Sequence, residues 1–139
     1  MKEIMAIIRM KKTGATKKAL IAAGVAGFTA VRVMGRGRRI TDPHAIEECR
    51  EKLIAMGTDE FGGAHDTENL VTGFLNGSGL FPRRLFTILA YDDDVPRIIE
   101  AITKANRTDH GIGDGTIFVL PVNDAVRIRT GESGEAAIW

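Results

Sequence analysis

The 139-residue chain is 44% hydrophobic and 27% charged, with nineteen Lys/Arg against eighteen Asp/Glu and one cysteine. This length fits one domain with a modest core, Cys49 alone excludes a disulfide framework or a cysteine-rich zinc site, and no apolar run approaches a membrane span. No secretory signal is evident, because Arg9, Lys11 and Lys12 close the short apolar start, so a cytoplasmic protein is expected. The charge is unevenly spread: residues 1–40 carry ten Lys/Arg against the single acid Glu3, and the remainder is net acidic. Such a split favours an anionic ligand, nucleic acid or a self-complementary assembly.

The run Ile4-Met5-Ala6-Ile7-Ile8 predicts a buried strand. Thr13 offers a cap for an amphipathic helix over Ala15–Ala23, with Ala19, Leu20 and Ala23 inward and Lys12, Lys17 and Lys18 outward; Gly24 is placed to end it. Phe28–Met34 predicts a second strand, stopped by Gly35-Arg36-Gly37. A long connection over 36–83 follows, far beyond the usual connection of about 4–6 residues. Within it Pro43–Met56 predicts a helix capped by Asp42. Gly57–Gly79 is glycine-rich but keeps apolar residues (Phe61, Leu70, Val71, Phe74, Leu75), which suits a recognition loop better than a solvating linker. Arg84–Tyr91 predicts a third strand. Asp92–Asp94 and Pro96 then predict a helix start, with Ile98, Ile99 and Ile102 as its buried stripe to about Ala105. Thr116–Leu120 predicts a fourth strand and Ala125–Arg129 a short fifth. Two β-α-β halves define the expected fold class: an α+β, ferredoxin-like double β-α-β sandwich in one domain over 1–139 with a loop inserted at about 36–83.

No catalytic constellation emerges, and an enzyme is not expected. His44, His65 and His110 have no partner at metal-ligand spacing, Cys49 has no activating neighbour pattern, and Asp92–Asp94 are explained as helix-start residues. The glycine clusters Gly35-Arg36-Gly37-Arg38-Arg39 and Gly111-Ile112-Gly113-Asp114-Gly115 are more informative. Each can bring backbone amides close to an anion while neighbouring guanidiniums neutralise phosphate, though Gly-Asp-Gly is also an ordinary turn. If Arg127-Ile128-Arg129 is a strand, Arg127 and Arg129 point to one face and call for an anion or carboxylates opposite them.

Met1–Arg9, Gly35-Arg36-Gly37-Arg38, Ile112-Gly113-Asp114-Gly115 with Ile117-Phe118-Val119, and Arg127-Ile128-Arg129-Thr130-Gly131-Glu132 together resemble the PII signal-transduction family. The long central loop and Arg9-Met10-Lys11-Lys12-Thr13 resemble its NifI branch, associated with nitrogenase control, and the second NifI member more than the first. The resemblance implies a homotrimer, or a heterohexamer with a sister NifI subunit, with ATP or ADP between subunits. Ile7, Gly35, Gly37, Arg38 and Leu89 would come from one side, and Gly113, Asp114, Gly115, Thr116, Arg127 and Arg129 from the other. It also implies 2-oxoglutarate at the base of the central loop (the T-loop), near Arg39 and Arg83, with Mg2+ held by ATP and 2-oxoglutarate and no protein metal ligand. Arg39 and Arg83 stand where the family usually has glutamine and lysine, Thr116 and Gly111 stand where it has phosphate lysines, and His110 is a candidate for part of that lost charge. Tyr91 is the sole tyrosine and lies in a predicted strand, so uridylylation of a loop tyrosine is not expected. The implied function is a nitrogen sensor whose T-loop binds dinitrogenase, without nucleic-acid binding or membrane insertion. The alternatives are a regulator of an ammonium transporter or other nitrogen-assimilation target and, from another class, a ferredoxin-like RNA-binding module, which the low aromatic content disfavours.

Overall fold

The computed structural model describes residues 1–37, 42–44, 46–48, 50, 79–109, 111 and 113–138. Alternation of buried and part-exposed residues along Lys2–Arg9 makes it the first strand, β1: Ile4, Ala6 and Ile8 are buried on one face, while Met5 and Ile7 point to the other. A 3-10 turn, Met10–Lys12, leads into helix α1, Thr13–Ala22. Strand β2 covers Thr29–Gly35, β3 Phe81–Ala90 and β4 Thr116–Pro121, and helix α2, Val95–Asn106, joins β3 to β4. The strands form one sheet in the order β2-β3-β1-β4, with every neighbouring pair antiparallel. Each β-α-β crossover thus skips one strand, which is the ferredoxin-like topology expected from the two halves.

The core lies between this sheet and the two helices. Ile4, Ala6, Ile8, Phe86, Ile88 and Ala90 meet Leu20 of α1 and Ile98 and Ile102 of α2. The Phe28 and Phe86 rings pack at 5.5 Å between centroids, close enough for a favourable tilted aromatic contact. The helices are tied by one buried polar link, in which Asn106 Nδ2 donates to Thr16 Oγ1 at 2.9 Å and to the Ile102 carbonyl at 2.8 Å. That link explains why the buried stripe of α1 is Thr16 and Leu20 rather than the expected alanines: an i,i+4 pair faces α2, and the polar member is satisfied there.

Several boundaries differ from expectation for local reasons. Thr13 does not cap α1 but opens it, and its hydroxyl donates back to the Met10 carbonyl at 2.6 Å. Asp92–Asp94 form a separate 3-10 turn before α2; Asp94 holds Arg97 at 2.6 Å, and Asp92 meets the N-terminal ammonium at 3.1 Å. Strand β3 begins at Phe81, three residues early, because Phe81, Pro82 and Arg83 pair with Gly35, Met34 and Val33 at the end of β2. No fifth strand forms over Ala125–Arg129. Val126 makes an isolated bridge to Ser133, and residues 128–130 form a turn closed by Gly131 N donating to the Arg127 carbonyl at 2.8 Å.

Gly24 ends α1 as its position suggested. It has φ of +75°, its N–H donates to the Ile21 carbonyl at 2.9 Å, and the Val25 N–H donates to the Leu20 carbonyl at 3.0 Å. This is a Schellman cap, and the contact expected across it is present, since Val25 and Leu20 share the core. Gly24→Ala is therefore expected to lower stability by about 1–2 kcal/mol through the left-handed backbone, with the Arg97 guanidinium 3.3 Å from the new Cβ; urea unfolding measures it.

The predicted helix in the central connection is helical at Pro43, His44, Ile46, Glu47, Glu48 and Arg50. Asp42 caps it: Oδ1 accepts the His44 N–H at 3.1 Å, and its carbonyl accepts the Ile46 N–H at 2.9 Å. The remaining loop expectations, including Cys49, His65, Phe61, Leu70, Val71, Phe74 and Leu75, fall outside the described residues. No helix among the described residues is long and apolar enough to cross a membrane.

Candidate functional site

Strand register decides which of the candidate residues share a place. At one end of the sheet Arg9 faces Arg83, Arg83 faces Val33, Gly35 faces Phe81, and Ile7 faces Thr116. Gly35, Ile7, Arg83 and the Gly113–Thr116 turn therefore lie at the end where β1 and β2 finish and β3 and β4 begin, Gly35 on the β2 edge and the turn on the β4 edge, with Gly37 two residues past β2. At the other end Leu89 and Leu120 both pair with Glu3, and the Arg127 turn follows β4 beyond Pro121. Within one chain, Gly113, Asp114, Gly115 and Thr116 lie at the same sheet end as Gly35, and Leu89 lies at the end that leads to Arg127 and Arg129. The reason is topological, because β1 separates β3 from β4 and runs antiparallel to both. Arg38, Arg39 and His110 fall outside the described residues.

The Gly113–Gly115 turn is built against the end of β1. Gly115 has φ of +118°, and a Cβ there would sit 2.1 Å from the Ile7 carbonyl oxygen and 3.3 Å from the Ile8 Cα. Only glycine allows the backbone to pass that close, so this glycine is required by the fold before any ligand is considered. Asp114 faces inward. Its carboxylate accepts the Thr108 N–H at 2.9 Å and the Thr108 hydroxyl at 2.5 Å, which fastens the turn to the residues after α2.

Arg9 holds the turn from beneath, and sequence reading missed this role. Its side chain is 1% exposed, its Nε donates to the Gly113 carbonyl at 3.1 Å, and its Nη2 lies 3.6 Å from Asp114 Oδ1. A buried guanidinium needs both an acceptor and a counter-charge, and the Gly113-Asp114 pair supplies both. The signal available in the sequence was a lone arginine at the end of an otherwise apolar strand, which reads equally well as a solvated strand end.

At the other end Arg127 already has its carboxylate. Its Nη1 lies 2.7 Å from Glu132 Oε2, its Nη2 donates to the Ala136 carbonyl at 3.1 Å, and Thr130 Oγ1 donates to the same Glu132 oxygen at 2.8 Å. The expectation of two arginines side by side on a strand is overturned. The chain turns at residues 128–130, Arg129 projects from the turn, and Ile128 between them is fully exposed. Arg129 has no polar partner among the described residues.

A recess of about 120 Å³ opens between the last turn of α2 and the start of β4, lined by Ile8, Asn106, Arg107, Asp114, Gly115 and Thr116. Small-molecule sites usually measure about 300–1,000 Å³, so this recess does not enclose a nucleotide by itself. Among the described residues no group of three or more His, Cys, Asp or Glu is placed to hold a metal ion.

The chain is thus ferredoxin-like, with a Gly-Asp-Gly turn at one sheet end, an Arg-x-Arg turn at the other and a long β2–β3 connection. Residues 1–132 match the family model for nitrogen regulatory protein P-II. The chain belongs to the P-II family. It is 40% identical over 138 residues to the "nifHD region GlnB-like protein 2" for nitrogen fixation of Methanobacterium ivanovii, covering 99% of both chains. It is 38% identical over 141 residues to the protein of the same designation in Methanococcus maripaludis, with 99% and 100% covered. A "nitrogen regulatory protein P-II" of Cereibacter sphaeroides is 40% identical over 138 residues, with 99% and 100% covered. The NifI-type resemblance therefore holds along 99% of the chain, and the ferredoxin-like fold class holds for the described residues.

Proposed function

We propose that this protein is a non-enzymatic sensor of nitrogen and energy status. It binds ATP or ADP in clefts between subunits and 2-oxoglutarate at the base of the T-loop, and it controls nitrogenase through that loop. The observation that carries this reading is the division of the candidate residues between the two ends of one sheet. Strand β4 spans Thr116–Pro121, so the Gly113–Gly115 turn and the Arg127 turn are separated by about 17 Å of strand. Residues of both kinds meet around one phosphate chain only when a second copy brings its far end to the near end of the first.

The sheet supports such an assembly. On the face away from the helices, Val31 is 44%, Phe118 48% and Leu120 38% exposed, beside Met5, Ile7 and Leu85 in register. Glu3, Thr29 and Thr87 share this face, so it is mixed, and its exposed apolar residues are what a trimer interior would bury. The same face bears one exposed aromatic, Phe118, beside buried Phe81, where an RNA-stacking sheet exposes several.

Bound between subunits, a nucleotide has its phosphates on the Gly35, Gly37 and Gly113–Gly115 amides. Asp114 and Arg9 keep that turn in shape, and Arg127 and Arg129 of a neighbour neutralise charge, without the two further lysines that the family has at the positions of Gly111 and Thr116. ATP and 2-oxoglutarate hold Mg2+ between them. 2-Oxoglutarate beside Arg39 and Arg83 sits at the T-loop root, where differential affinity for two loop states shifts their populations. The names of the relatives, which tie them to nitrogen fixation regions, support dinitrogenase as the target and a sister NifI subunit as partner in a heterohexamer, with a homotrimer as the simpler form. Such a regulator works in the cytoplasm.

Calorimetric titration with ATP, ADP, and Mg-ATP plus 2-oxoglutarate, with and without a co-expressed sister subunit, tests this reading. Silence in every combination overturns it. Arg129→Ala is expected to weaken ATP binding about 10- to 100-fold, the loss of one or two charge-assisted hydrogen bonds. Its own stability is expected to stay within about 0.5 kcal/mol, because the side chain is exposed and makes no polar contact among the described residues.

A further inference from the structure

Arg32 on β2 stands directly opposite Arg84 on β3. The two Cα atoms of such an antiparallel pair are about 4.5–5.5 Å apart, and like charges placed so repel. Both side chains point to the helix side of the sheet, since Arg84 is two residues from buried Phe86 and Arg32 two from Ala30, its register partner. Strand β2 is the sheet edge, and at this corner Met34 is 55% exposed, next to buried Pro82 in register. Among the described residues neither arginine has an ion pair, and Arg84 Nε is buried without a hydrogen-bond partner. The chain thus keeps a repulsive pair and an orphaned donor side by side on an exposed edge. The repulsion is relieved by one kind of visitor, a carboxylate that accepts from two guanidinium forks at once.

We propose that Arg32 and Arg84 form a docking point for an acidic side chain on the surface of a partner protein, separate from the phosphate turns. A free dicarboxylate or inorganic anion would be held on an open surface by only two charges and screened by salt. A protein surface also covers the exposed Met34, dehydrates the pair and makes it tighter. A nucleic-acid backbone fits less well, because it asks for a line of cations rather than two beside an apolar corner.

Fluorescence anisotropy of a labelled octaglutamate peptide with the full chain tests this at low and at physiological salt. Arg32→Gln with Arg84→Gln is expected to lower its affinity about tenfold or more, while Lys17→Gln with Lys18→Gln, which removes the same charge from the exposed side of α1, changes it about twofold. Equal losses in the two variants overturn the proposal, as does an oligonucleotide that displaces the peptide and depends on the same pair. The single variant Arg84→Met supplies a second measurement. Relief of the repulsion is expected to hold or raise its thermal midpoint while peptide binding falls. A lowered midpoint with unchanged peptide binding means that the pair serves the fold and overturns the proposal.

Discussion

Gly115→Ala is expected to cost about 4–5 kcal/mol, a loss comparable to the whole stability of many small domains. Two independent terms add. The new methyl group would meet the Ile7 carbonyl oxygen at 2.1 Å, so either the end of β1 or the turn itself must move. The backbone at φ of +118° is also in a region that an L-residue enters only with strain. The neighbouring strand end offers a control. At Gly35 a Cβ meets nothing within 4 Å, and φ is not positive. Gly35→Ala is expected to fold with stability within about 1 kcal/mol of the parent. If the proposed nucleotide lies on the Gly35 amide, that second variant still loses ATP affinity. Urea unfolding with ATP titration separates a glycine required by the chain from a glycine required by a ligand. Wild-type stability in Gly115→Ala would mean that the turn does not sit on β1 as described.

Arg9→Met is expected to destabilise the protein by about 3 kcal/mol, toward the low end for breaking a buried pair because Asp114 keeps some solvent contact, at 22% exposure. The methionine fills much of the same volume, so the loss comes from polar terms: the Gly113 carbonyl loses its donor, and Asp114 loses its nearest cation among the described residues. Arg9→Lys keeps the charge without the fork and is expected to cost about 1–2 kcal/mol. Hydrogen exchange at the Gly113–Gly115 amides distinguishes this account from a general loosening. Faster exchange is expected in that turn and in Thr108, whose N–H is held by Asp114, with the α1 amides protected in proportion to global stability. Uniform acceleration across both helices would count against a local role.

The difference between these two residues shows how far the sequence could be read. Gly115 was visible as part of Gly-Ile-Gly-Asp-Gly, because a run of glycines announces unusual backbone geometry, although its contact with Ile7 was not foreseeable. Arg9 was visible only as a charge closing an apolar strand. Its burial follows from the β1–β4 pairing, which joins residues more than a hundred positions apart. The same holds for Arg127 and Arg129. Strand periodicity put them on one face, but Gly131 at φ of +74° lets the chain turn instead, and Glu132 supplies a carboxylate to Arg127 alone. Asn106 and Thr16 repeat the lesson in the core, as two polar residues that periodicity assigned to no buried stripe and that meet each other, with Asn106 Oδ1 left buried without a partner.

By itself the sequence determined the order and kind of the main elements, the ferredoxin-like class, the Gly24 cap and the family. These depend on local chemistry: apolar spacing, turn residues and short motifs act within a few positions of where they stand. Only the tertiary structure decided which residues lie together: Gly113–Thr116 at the sheet end of Gly35, Leu89 toward the Arg127 turn, Arg9 under Asp114, and Arg32 against Arg84. Register is a property of pairs of strands, fixed by burying one face of all four together against two helices. No single segment carries that information.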